Sequence, residues 1–123
     1  MGKKALIADD ADIIRSKLDE FFKAAGFDTI LAEDGKVAME MIEKESHLDI
    51  IVTDLNMPHI DGMELSRKTR EIERFKSVPI FVLSTESTPE LKKKGKECGV
   101  TAWILKPFNP DSMKNVMKVL KIG

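Results

Sequence analysis

Residues 50–62 read Ile50-Ile51-Val52-Thr53-Asp54-Leu55-Asn56-Met57-Pro58-His59-Ile60-Asp61-Gly62, and this stretch decides the fold. Ile50, Ile51 and Val52 are apolar at consecutive positions rather than alternate ones. A strand with one wet face alternates apolar and polar residues. A continuous run is covered on both faces, which is how strands sit in a parallel sheet. Four further runs have strand length: Ala5–Ala8, Thr29–Ala32, Ile80–Leu83 and Thr101–Leu105.

Between these runs the apolar residues recur at helical spacing. Ile14, Leu18, Phe21 and Ala25 share one face, Ala38, Met41 and Ile42 a second, and Leu65, Thr69 and Ile72 a third. Leu91, Gly95 and Cys98 make a thin fourth stripe, and Met113, Val116, Met117 and Leu120 a fifth. Asp12, Asp34, Asp61 and Thr88 are the expected N-caps, Pro89 suits a first helical turn, and Gly26 and Gly99 stand where helices should stop. Strand then helix, repeated five times, predicts an α/β chain with a doubly wound five-stranded parallel sheet and helices on both faces. No linker, repeat or low-complexity segment interrupts the pattern. Residues 1–123 are therefore expected to form a single domain, with any output domain on another chain.

Hydrophobic residues make up 42% and charged residues 33% of the chain, the balance of a packed protein rather than a disordered one. A formal charge of -1 gives no global field to recruit nucleic acid or an anionic membrane. No apolar run approaches the roughly 18 residues of a membrane span, and Met1-Gly2-Lys3-Lys4 does not open a secretion signal. The single Cys98 forms no internal disulfide and is expected as a small buried apolar residue in a reducing compartment. A cytoplasmic monomer is expected. His47 and His59 lack partners at metal spacing and read as solvated loop residues, and the methionines read mostly as core.

In an open parallel sheet, ligands bind beyond the carboxyl ends of the strands. Asp9 and Asp10 follow the first strand. Asp54 ends the third, with Asn56, Met57 and Pro58 behind it. Ser84 and Thr85 follow the fourth, and Lys106 and Pro107 the fifth. Three carboxylates, a hydroxyl and one lysine should thus gather at one edge of one sheet. Two like charges ~4 Å apart cost about 4 kcal/mol at an effective dielectric near 20. A hard divalent cation such as Mg²⁺, with oxygen ligands, would relieve that repulsion, and Lys106 would offset part of the rest. Cation plus lysine is the equipment of phosphoryl transfer, and aspartate is a competent nucleophile for making an acyl phosphate.

The motifs that carry a resemblance are Leu6-Ile7-Ala8-Asp9-Asp10, Asp54 to Gly62, Leu83-Ser84-Thr85-Glu86 and Trp103-Ile104-Leu105-Lys106-Pro107-Phe108, with Ala24-Ala25-Gly26-Phe27 and Glu33-Asp34-Gly35 in support. Each alone is weak. In this order, each at the end of a strand, they make the chain resemble a response-regulator receiver domain, and within that family the stand-alone chemotaxis regulators. The resemblance implies a flavodoxin-like (βα)5 fold with strand order 2-1-3-4-5. It implies that Asp54 accepts a phosphoryl group from a histidine kinase, and that Asp10, Asp9, Asp54 and the Asn56 backbone carbonyl hold Mg²⁺. Lys106 and the Ser84 hydroxyl would contact the phosphoryl group, Trp103 would report the state with Ser84, and Lys106-Pro107 would be cis. Asn56, Thr85 and Glu86 occupy positions that tune the lifetime; Thr85 stands where a small residue is usual. The implied chemistry is self-catalysed phosphotransfer and autodephosphorylation, not turnover of a substrate by an enzyme.

The run Lys92-Lys93-Lys94-Gly95-Lys96 reads as a solvated face. By resemblance, the fourth helix, fifth strand and fifth helix would dock the downstream partner, with a flagellar motor switch protein the first choice. A phosphorelay intermediate or another non-chemotaxis regulator is the alternative. An aspartyl-phosphate hydrolase would want a second acid where Asn56 stands. A flavodoxin-like electron carrier would want a hydroxyl- and glycine-rich loop where Asp9 and Asp10 stand.

Overall fold

A computed structural model describes residues 2–122 of the chain. The strands are β1 (Lys3–Ala8), β2 (Phe27–Ala32), β3 (Ile50–Asp54), β4 (Ile80–Ser84) and β5 (Ala102–Leu105). The helices are α1 (Asp12–Ala24), α2 (Gly35–Lys44), α3 (Gly62–Arg70), α4 (Pro89–Glu97) and α5 (Pro110–Val119). All four strand pairings are parallel, and the order across the sheet is β2-β1-β3-β4-β5. The chain therefore winds outward in both directions from β1 and β3, as expected. No helix among the described residues is long and apolar enough to cross a membrane.

The continuous apolar strands are explained by two cores. Ile50 and Val52 pack with Ala5, Ile7, Phe81 and Leu83 against Leu18 and Phe22 of α1 and Met113 and Met117 of α5. Ile51 points the other way, into a cluster with Leu6, Val82, Ala38, Ile42 and Leu65, under α2 and α3. Period-2 geometry sends neighbours to opposite faces, and both faces are dry.

Caps divide into hits and one miss. The side chains of Asp34, Asp61 and Thr88 accept from Val37, Glu64 and Leu91 N–H. Gly26 and Gly99 both take φ +91°, the left-handed turn that ends a helix without a Cβ penalty. Asp12 is not a cap: Ala11 holds that place without a side-chain bond, and Asp12 opens the first turn paired with Arg15. The preceding Asp9 explains the displacement, because its Oδ1 accepts the Ala11 N–H at 2.8 Å and so ties the entry to α1 one residue early. Two more readings shift. Phe22 rather than Phe21 carries the buried ring of α1, and Cys98 is half-buried rather than buried. Asn109 caps α5 and a 3-10 turn spans Glu73–Phe75, two features beyond those the sequence predicts.

Candidate functional site

The carboxyl ends of β1, β3, β4 and β5 bring the chemistry-bearing residues to one rim. Parallel register sets β3 Asp54 beside β4 Leu83 and β4 Ser84 beside β5 Leu105, with Lys106 N–H donating to the Ser84 carbonyl at 2.8 Å. Asp9, Asp10 and Asp54 each present an oxygen, all within 4.8 Å of one another. Lys106 Nζ reaches over them, 2.7 Å from Asp54 Oδ1 and 3.5 Å from Asp9 Oδ2. Asp9 and Asp54 are buried; Asp10 is exposed at the mouth.

One ammonium against three carboxylates leaves the rim short of positive charge. Burial pushes both the Asp9 and the Asp54 carboxyl above the usual carboxylate value; the Ala11 N–H and Lys106 at Asp9, and the Lys106 hydrogen bond at Asp54, pull back only part of the way. For Lys106, burial alone would lower the pKa, but the hydrogen bond to Asp54 and the charges of Asp9 and Asp54 outweigh it and raise it. Asp9 Oδ2 is fully buried and accepts no hydrogen bond. An all-oxygen donor set with excess negative charge and one buried oxygen left over suits a hard divalent cation such as Mg²⁺.

The other expected residues are placed as follows. Asn56 is exposed two positions beyond Asp54, and Thr85 and Glu86 are exposed beyond Ser84. Ser84 is buried, and its Oγ accepts the Glu86 N–H at 3.0 Å. The carbonyl of that same Glu86 accepts the Trp103 indole N–H at 2.8 Å. Two hydrogen bonds through one residue thus join the Ser84 hydroxyl to the Trp103 ring. The ring is half-buried against α4, where a Cβ on Gly95 would lie 3.0 Å from it. Gly95 weakens the helix but makes room for the indole. The Lys106-Pro107 bond is cis. Lys92, Lys93, Lys94 and Lys96 face solvent, as do His47 and His59.

Thr53, buried beside Asp54, is not among the expected site residues. Its hydroxyl donates to the Asp54 carbonyl at 2.9 Å inside the sheet. A hydroxyl in an otherwise apolar run, directly before the aspartate, was the available signal.

The model of the response regulator receiver domain family matches residues 5–118. Chemotaxis protein CheY1 of Helicobacter pylori is 31% identical over 118 residues, covering 95% of this chain and 95% of that one. The peroxide stress-activated histidine kinase mak3 of Schizosaccharomyces pombe is 33% identical over 118 residues, which cover 92% of this chain but 5% of the kinase. The solved structure of Vibrio cholerae chemotaxis protein CheY4 superposes with a TM-score of 0.90 at 34% identity, over 97% of this chain and 98% of that one.

Proposed function

The chain belongs to the response regulator receiver domain family of two-component signalling, and from that premise we propose that it is a phosphorylation-dependent switch with Asp54 as the acceptor. The observation that supports this reading best is the 2.7 Å contact of Lys106 with Asp54 beside the oxygens of Asp9 and Asp10. Asp9, Asp10 and Asp54 would hold Mg²⁺ through their carboxylates and Asn56 through its backbone carbonyl. When bound, the cation neutralises charge that builds on the transferring phosphoryl oxygens.

A carboxylate oxygen of Asp54 attacks phosphorus, the bond from phosphorus to the donor's imidazole nitrogen breaks, and the imidazole leaves with the bonding pair. That donor is a phosphohistidine of a histidine kinase; with a small acyl phosphate the bond from phosphorus to the acyl oxygen breaks instead and the carboxylate leaves. Lys106, already against the carboxylate, then pairs with phosphoryl oxygens. Ser84 Oγ accepts from Glu86, so its own proton is free to donate to the phosphoryl group. Drawing Ser84 inward loosens its bond to Glu86 and, through the Glu86 carbonyl, the hold on Trp103. A shift from 1:99 to 99:1 needs about 5.5 kcal/mol, whereas one charge-assisted hydrogen bond supplies about 1.5–3 kcal/mol. Ser84 therefore acts together with Lys106 and with a bound partner. Asn56, Thr85 and Glu86, exposed around the rim, set access of water and donor.

The output face is that of α4, β5 and α5, which carries the Trp103 ring. Resemblance to chemotaxis proteins of matching length favours a flagellar motor switch protein as the partner. Similarity to a segment of a histidine kinase favours the second reading, a station in a phosphorelay. The decisive experiment treats the protein with acetyl phosphate and Mg²⁺ and maps the added phosphoryl mass. Incorporation at Asp54, lost in Asp54→Asn and suppressed by EDTA, is expected; a label on any other residue overturns the reading. Phosphorylation-dependent binding of a motor-switch peptide, against onward transfer of the phosphoryl group to the histidine of a phosphotransfer protein, then separates the two outputs.

A further inference from the structure

Two Asp-Gly steps occur in the chain, Asp34-Gly35 and Asp61-Gly62, and both begin a helix. In each, the aspartate caps the first turn, at 2.8 Å from Val37 N–H and at 2.8 Å from Glu64 N–H. In each, the glycine touches the backbone between Asp54 and α3. A Cβ on Gly35 would lie 1.8 Å from the Ile60 carbonyl oxygen and 2.7 Å from its carbon. A Cβ on Gly62 would lie 2.5 Å from the Asp54 carbonyl oxygen and 3.1 Å from Leu55 Cα. These obstacles are backbone, so no rotamer change removes them. The segment from residue 55 to 61 is gripped at both ends by contacts only glycine permits. Between the grips, His59 takes φ 72° inside a three-residue turn in which Ile60 N–H donates to the Pro58 carbonyl at 2.9 Å. That conformation is costly for a non-glycine residue and persists where the surroundings enforce it. The segment so held is the one that carries Asn56.

We propose that Gly35, on a helix outside the acidic rim, is a positioning residue for the cation site. It lets the Ile60 backbone lie on the first turn of α2 and so fixes the segment that presents the Asn56 carbonyl, which sets the affinity for a divalent cation. This rests on the reading that Mg²⁺ is held at that rim.

Isothermal titration with Mg²⁺ alone tests it on four proteins: wild type, Gly35→Ala, Ile60→Gly and Gly26→Ala. Gly35→Ala is expected to weaken Mg²⁺ binding about tenfold, the scale of lost support behind a metal ligand. Ile60→Gly slackens the same segment from its other side and weakens binding likewise. Gly26 has φ +91° and open space around it at the opposite end of the sheet. Gly26→Ala therefore lowers stability but keeps the wild-type Kd, which separates loss of fold from loss of the site. Absence of Mg²⁺ binding by the wild type overturns the cation reading itself. Binding by the wild type with an unchanged Kd in Gly35→Ala overturns the role of Gly35. Should Gly35→Ala not fold, an unchanged Kd in Ile60→Gly overturns it instead.

Discussion

At the scale of single residues, the site is built at the expense of the fold. Asp9 and Asp54 hold their protons to higher pH in the folded chain than in the unfolded one, because burial disfavours their charged forms. The folded state therefore binds more protons from the ordinary value of 3.8 upward, and stability falls as pH rises through the raised values. The sign reverses the usual one for a salt-bridged carboxylate. Lys106 is the opposite case: its stabilisation is present below its ordinary value of 10.5 and is lost above its raised one. Asp9→Asn keeps an oxygen for the Ala11 N–H and removes one buried charge. In EDTA at neutral pH it should raise stability by roughly 1–3 kcal/mol, the scale of a buried polar group without a hydrogen bond, since the Lys106 ion pair at 3.5 Å compensates the buried charge only in part. Its midpoint should also fall less than the wild type's between acid and neutral pH. Chemical denaturation at both pH values checks this, and a less stable variant at neutral pH sinks the argument. The identity of each acid was legible from its place after a strand. That Asp9 is buried with a spare oxygen was not, because burial depends on the neighbouring strands.

At the scale of elements, α4 is the weak member. Of its residues only Gly95 is buried, and Leu91 is half-buried. A glycine in a helix interior costs roughly 1 kcal/mol against alanine. Amide exchange should be faster in α4 than in α1, α3 or α5, and finding α4 the best protected helix would defeat this. Such weakness would suit the proposed movement of the Trp103 ring, which lies beside Gly95. The thin stripe Leu91, Gly95, Cys98 announced the weakness in sequence, and the indole seated on Gly95 did not show there. Periodicity placed every helix, yet it put the buried ring of α1 at Phe21 instead of Phe22. Adjacent helix positions lie about 100° apart, so both rings fall on a broad apolar face only near its two edges, and the fit against Phe27 and the sheet decides which is fully buried. The Asp12 cap failed for a similar reason: a buried carboxylate at Asp9 had already taken the turn.

At the scale of the whole molecule, the proposed cation binding would be linked to folding. If Mg²⁺ binds only the folded chain, a concentration one hundred times Kd adds about 2.7 kcal/mol. Thermal unfolding in Mg²⁺ against EDTA should show that gain in the wild type and most of it lost in Asp10→Asn; equal midpoints in both buffers would count against a cation at the rim. The order of strands and helices, the two dry faces and the residues at each strand's carboxyl end could be read from the chain alone. Those features follow from local periodicity and from the handedness of parallel crossovers. Contacts that depend on register and packing between distant segments could not. Arg74 stacks on Phe75 and donates to the carbonyls of Glu43 and Glu45 at the end of α2. Arg70 ties α3 to the Gly99 carbonyl. Gly35 and Gly62 close on one segment from two helices. A residue pattern reports which face of its own element is apolar, while the partner of that face is chosen only when the elements are assembled.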